Sequence, residues 1–200
     1  MRVTKIKDLE LKPPENTVPR SDTIHVTDLI NAIEEDLGRN VYSSSTLSNG
    51  DWYRDFGFLW EEALTALFSE RMGQRIGEIS LDGIYGSPDG IIFSDDGVIL
   101  EEYKCTWKSM SNDPSDNWRW MMQIKAYCKM LDCKVCRLFV LYVNGNYRDT
   151  RGPNPVYYEI EFTEKEIESC WNMLKKKAYE IGLSNIPEEK EIKRKRNIRP

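Results

Sequence analysis

Asp89, Glu102 and Lys104 are the residues whose types and spacing best suit chemistry. Asp89 sits between Pro88, which narrows the backbone's options, and Gly90, which permits a sharp approach. The apolar run Ile91-Ile92-Phe93 then leads into Ser94-Asp95-Asp96-Gly97, and the chain returns from Val98 to Lys104. This pattern predicts a β-hairpin with Asp89 at the mouth of its first strand. Side chains alternate along a strand, so Glu102 and Lys104 share one face while Glu101 and Tyr103 take the other. Two carboxylates and an amine gathered at one hairpin end can hold a divalent cation beside an activated water. The plainer alternative is a set of solvated charges near a turn.

Two helices flank this hairpin in the sequence. From about Asp55 to Met72 runs a strong helical pattern in which Glu61 lies on the apolar stripe of Gly57, Leu64 and Phe68. Glu62 falls instead on the face of Thr65 and Ser69. A carboxylate on an apolar face is costly unless it is paired or bound to metal, so Glu61 is either salt-bridged or a ligand. The second helix, about Ser115 to Leu131, carries Gln123 and Tyr127 one turn apart on a single face. Taken alone, that pair reads as ordinary core packing.

The ordered set is helix with Glu61, strand, Pro88-Asp89, hairpin, Glu102-Tyr103-Lys104, then Gln123-Ile124-Lys125-Ala126-Tyr127. It resembles the PD-(D/E)-x-K nuclease superfamily, specifically its lambda-exonuclease and RecB-like branch. The resemblance spans roughly residues 55 to 143. It implies a Mg²⁺-dependent deoxyribonuclease, with Mn²⁺ as substitute, in which Asp89, Glu102 and the carbonyl of Tyr103 hold the ion. Glu61 would contribute directly or through water, with Glu62 as second choice. Lys104 would orient the attacking water, Gln123 would support the site, and Tyr127 would pack or bond near a phosphate.

The same likeness implies an exonuclease acting at DNA ends in recombination or repair. Such enzymes often work beside a single-strand annealing protein, and some form homo-oligomeric rings. A structure-specific or single-strand endonuclease, and a non-catalytic DNA-binding module, are the alternatives. Other cations and polar groups near the motifs (Arg54, Lys108, Ser109, Arg119 and Lys125) are candidate phosphate contacts. Trp52, Trp107 and Trp118 are candidate stacking partners for bases. For all of these, salt bridging or packing is the competing reading.

The rest of the sequence supplies the scaffold. Two hundred residues with 6 Trp, 10 Tyr and 6 Phe can bury a core without staples. A net charge of −5 argues against a general electrostatic coat for nucleic acid, but leaves room for a locally basic cleft. No apolar run is long enough to span a bilayer, and residues 1–7 lack the apolar core of a signal peptide, so the expectation is a cytoplasmic protein. Five cysteines form an odd set better read as buried thiols than disulfides. The iron–sulfur clusters of some superfamily members need a cysteine before the Pro-Asp motif, and here none precedes Cys105.

The expected fold is α/β, a mixed central sheet flanked by helices with a restriction-endonuclease-like core. An extended arm, residues 1–23, would precede a single nuclease domain, 24–185, and a charged tail, 186–200. Within the domain, a helix from about Asp28 to Leu37 would be capped by Thr27, with His25 set aside as a surface or packing residue. Ile76 to Tyr85 would form the first strand of the sheet, Cys136 to Tyr142 a buried strand and Val156 to Phe162 an outer one. Thr163-Glu164-Lys165-Glu166 is a capping box for a last helix with Ile167, Trp171, Leu174, Ala178 and Ile181 inward.

Overall fold

The computed structural model describes residues 23–39, 50–68, 73–95, 97–149 and 152–182, except for the side chains of 50–55, 65, 67 and 68. Nearly all of the arm and the whole charged tail expected from the sequence lie outside these residues.

Helix α1 (Val26–Asp36) buries Val26, Leu29, Ile30 and Ile33. Its N-cap is His25, not Thr27, because Asp28 reaches back to accept the His25 amide at 3.0 Å. His25 itself is buried and lies 3.3 Å from Glu78, a packing role in keeping with the sequence reading. Helix α2 (Gly50–Phe68) starts earlier than its apolar periodicity suggested.

The stretch read as one strand of the central sheet is a separate small hairpin, β1 (Ile79–Leu81) and β2 (Ile84–Gly86). Asp82 and Gly83 turn between them at φ 54° and 77°, a left-handed pair that breaks the extended run. Alternation alone did not register this turn.

The central sheet holds β3 (Gly90–Ser94), β4 (Gly97–Thr106), β5 (Val135–Tyr142) and β6 (Asn154–Glu161), in that spatial order. β3 and β4 form the antiparallel hairpin expected from the sequence, with Gly90 opposite Glu101. β4 and β5 run parallel, and the crossover between them is helix α3 (Trp118–Leu131), so the sheet is mixed as expected. α3 begins after a 3₁₀ turn at Pro114–Asp116, with Asn117 capping the Trp120 amide.

Helix α4 (Glu164–Glu180) carries the Thr163/Glu166 capping box. α1, α3 and α4 pack together over one face of the sheet. Their apolar residues meet Leu100, Cys136, Leu138, Val140 and Tyr142 there. The inward stripe of α4 stands except at Ile181, which is 46% exposed because the helix has ended at Glu180. α2 packs against β4. All five cysteines are free, four of them buried and Cys105 half-buried. Among the described residues, no helix is long and apolar enough to cross a membrane.

Candidate active site

β4 delivers the chemistry from its α3-facing side. Glu102 is 1% exposed and ion-pairs through Oε1 with the Lys104 ammonium two residues on. Lys104 also donates to Gln123 Oε1 at 3.1 Å, and Gln123 Nε2 donates to the Tyr127 hydroxyl at 3.1 Å. The i, i+4 spacing of Gln123 and Tyr127 thus becomes a relay from α3 to β4. Gly86 makes room for it, since a Cβ there would stand 2.5 Å from the Tyr127 ring.

Asp89 arrives from the loop before β3. Its Oδ2 accepts the Tyr103 amide at 2.8 Å, which fixes the carboxylate beside the backbone between Glu102 and Lys104. Glu61 comes from α2, on the stripe of the buried Leu64, while Glu62 is exposed. Its Oε2 lies 3.3 Å from Arg75. Four separate segments therefore supply Glu61, Asp89, Glu102/Lys104 and Gln123/Tyr127.

Electrostatics bind the group together. Burial first and the Asp89 charge second push Glu102 up to about 8, against the pull of Lys104. Burial and then Asp89 push Glu61 up to about 7, with Arg75 and Lys104 opposing. Burial also raises Asp89, offset in part by Lys104 and the Tyr103 amide. Burial works against the Lys104 charge, yet Glu102 and Asp89 hold its pKa above the usual lysine value. The three acids crowd one another and the amine stays protonated.

The residues suit a hard cation in one specific way. Among the described residues, Glu102 Oε2 is buried without a hydrogen-bond partner, as is Glu101 Oε1 on the opposite face, while the sister Glu102 oxygen is taken by Lys104. A bare carboxylate oxygen in the interior is expensive unless something positive meets it. Among the described residues, however, no three acidic, histidine or cysteine side chains form a ready-made cage. Asp89 is held on the amide of Tyr103, the residue after Glu102, close enough for its charge to bear on Glu102, and Glu61 is engaged by Arg75.

The peripheral candidates go to different places. Lys108 and Ser109 line a cavity of about 230 Å³ beyond the C-terminal end of β4, with Asn117, Trp120 and Tyr142. Arg119 donates to Glu34 at 2.6 Å, and the Lys125 amine lies 5.2 Å over the Phe162 ring, so both cations are occupied within the fold. Trp107 packs against Phe56, and Trp118 lies under Arg39. Arg54 is on α2, but its side chain is outside the described residues, as is that of Trp52.

Two residues at the site were not singled out from the sequence. Arg75 lies in a stretch without periodicity, so nothing in the pattern marked it. Glu101 was placed on the opposite face of β4, and there it is fully buried, accepting the Gly73 amide at 2.6 Å and the Tyr103 hydroxyl at 2.8 Å.

The same architecture occurs in solved structures. An alkaline exonuclease from Laribacter hongkongensis, LHK-Exo, superposes with a TM-score of 0.50 at 14% identity, over 87% of this chain and 93% of that one. Its complex with dAMP gives 0.51 over the same shares at 14% identity. The protein SSO0001 gives 0.50 at 21% identity, over 86% of this chain and 81% of that one. No protein-family model and no curated protein matches the sequence. At these identities the likeness establishes the fold: it is the α/β fold of an alkaline exonuclease, as the resemblance to the lambda-exonuclease branch implies.

Proposed function

We propose that this protein is a metal-dependent deoxyribonuclease that hydrolyses DNA phosphodiester bonds, working as an exonuclease at DNA ends. The observation that carries the reading is the buried Glu102 carboxylate, with one oxygen on Lys104 and the other unpartnered among the described residues, beside an Asp89 fixed on the intervening amide. Asp89, Glu102 and the Tyr103 carbonyl would hold Mg²⁺ or Mn²⁺, with Glu61 contributing directly or through water. Bound there, the ion would supply Lewis-acid neutralisation of the phosphate and a more acidic water.

The chain's own groups do the rest. Lys104, kept protonated by Glu102 and Asp89, is suited to orienting the attacking water and offsetting negative charge on the phosphate rather than to removing a proton. Gln123 fixes the direction of the ammonium, and Tyr127 fixes Gln123. LHK-Exo, which shares this fold, is an alkaline exonuclease, and the choice of an exonuclease here follows that precedent.

The test incubates end-labelled linear duplex and closed circular DNA with the protein and Mg²⁺, alongside Asp89→Ala and Lys104→Ala. Loss of linear DNA only, abolished by either substitution, is the expected result. Nicked circles would replace the exonuclease with an endonuclease. Cleavage that survives both substitutions, or none by the wild type, would reject the assignment.

A further inference from the structure

Arg75 stands at the site on a segment that is pinned more tightly than its lack of regular structure suggests. Gln74 exchanges both backbone hydrogen bonds with Ile91 of β3, at 2.7 and 3.0 Å. One residue earlier, the Gly73 amide donates to the buried Glu101 carboxylate at 2.6 Å. Position 73 tolerates no side chain, because a Cβ would lie 2.6 Å from the Ile91 carbonyl oxygen and 2.9 Å from Glu101 Oε2. The same Glu101 oxygen, Oε2, also accepts the Tyr103 hydroxyl, so it ties this segment to β4. Three hydrogen bonds therefore fix the backbone from which Arg75 extends.

The guanidinium reaches Glu61 at 3.3 Å, yet its side chain remains 55% exposed. The Arg75 end of this pair is open to water while Glu61 is the more buried partner, so the guanidinium is placed to reach a second anion from its exposed side. Its charge also bears on Asp89. A guanidinium in that position faces the same space as the carboxylates, and its planar fork matches two oxygens of a phosphate.

We propose that Arg75 is a phosphate-contacting residue, delivered by the Gly73–Gln74 clamp, which reaches from its exposed side to the DNA backbone next to the bond being cut. The proposal rests on the nuclease reading for its reaction, but its contact can be measured without cleavage.

The experiment measures binding of a labelled duplex by wild type, Arg75→Ala, Arg75→Gln and Arg75→Lys as a function of salt, in EDTA. One lost phosphate contact should make the slope of log K against log[salt] shallower by about 0.9 in the Ala and Gln variants. Arg75→Lys should restore the slope. With Mg²⁺, Arg75→Ala should lower kcat/KM by 10-fold or more, and Arg75→Lys should recover only part of it for want of the fork. An unchanged salt slope in both the Ala and Gln variants would overturn the proposal, whatever happens to the rate. A wild type that binds with this Arg75-dependent slope but never cleaves would keep the contact and sink the nuclease reading instead.

Discussion

Three carboxylates pressed together out of water set a sign for how acidity should act on this protein. Glu61 and Glu102, at about 7 and about 8, are both above the ordinary 4.5. The folded chain therefore binds more protons than the unfolded one between those values. Stability is then greatest near the ordinary carboxylate value and falls as pH rises toward 8. Lys104, raised above the usual lysine value of 10.5, contributes equally throughout this window and does not alter the sign. Metal-free protein should show a melting temperature that drops from pH 5 to pH 8, followed by calorimetry in EDTA. Glu102→Gln should flatten that slope, and Mg²⁺ should raise Tm more at pH 8 than at pH 5, because it no longer competes with protons. A flat Tm profile would contradict the crowding. For turnover, Glu102→Gln and Lys104→Met should each cut kcat by roughly 10²–10⁴ with the fold intact by circular dichroism. At this scale the shared face of Glu102 and Lys104, and that of Gln123 and Tyr127, were legible because a strand's alternation and a helix's i, i+4 step fix which side chains can meet, while the approach of Gln123 to Lys104 was implied only by the family resemblance. Arg75 was not, since its position depends on a pairing with Ile91 that no local pattern announces.

Elements hold these side chains through a few close approaches. Gly86 must remain small for Tyr127 to lie where it supports Gln123. Gly86→Ala should therefore cost about 1–3 kcal/mol of stability, read by urea titration, and reduce cleavage along with it. Loss of the α3 cap in Asn117→Ala should cost about 1 kcal/mol, and the same holds for Thr163→Ala at α4. The central hairpin, α3, α4 and the outer strands could be read from the sequence since each carries its own periodicity and cap. The β1–β2 hairpin could not, because Asp82 and Gly83 reverse the chain inside an otherwise extended run. The cap of α1 was displaced for a similar reason: Asp28 serves His25 rather than leaving Thr27 to begin the helix.

Across the whole molecule, one layer of helices braces the sheet while α2 supplies the last acid from another direction. Trp171 of α4 is 1% exposed and donates through Nε1 to Asp82 at 2.9 Å, tying that layer to the small hairpin. Trp171→Ala should cost roughly 3–5 kcal/mol by chemical denaturation. The net charge of −5 would leave DNA attraction to local cations and to the ion itself, so binding should weaken with salt by a shallow slope that counts those few contacts. All of this depends on acids from separate segments serving a single cation. Titration of Mn²⁺ into metal-free protein, followed by electron paramagnetic resonance, reads that directly. Wild type should bind Mn²⁺, and Asp89→Asn and Glu102→Gln should each weaken it at least 10-fold. Equal Mn²⁺ binding by all three proteins, or none by the wild type, would contradict the shared site.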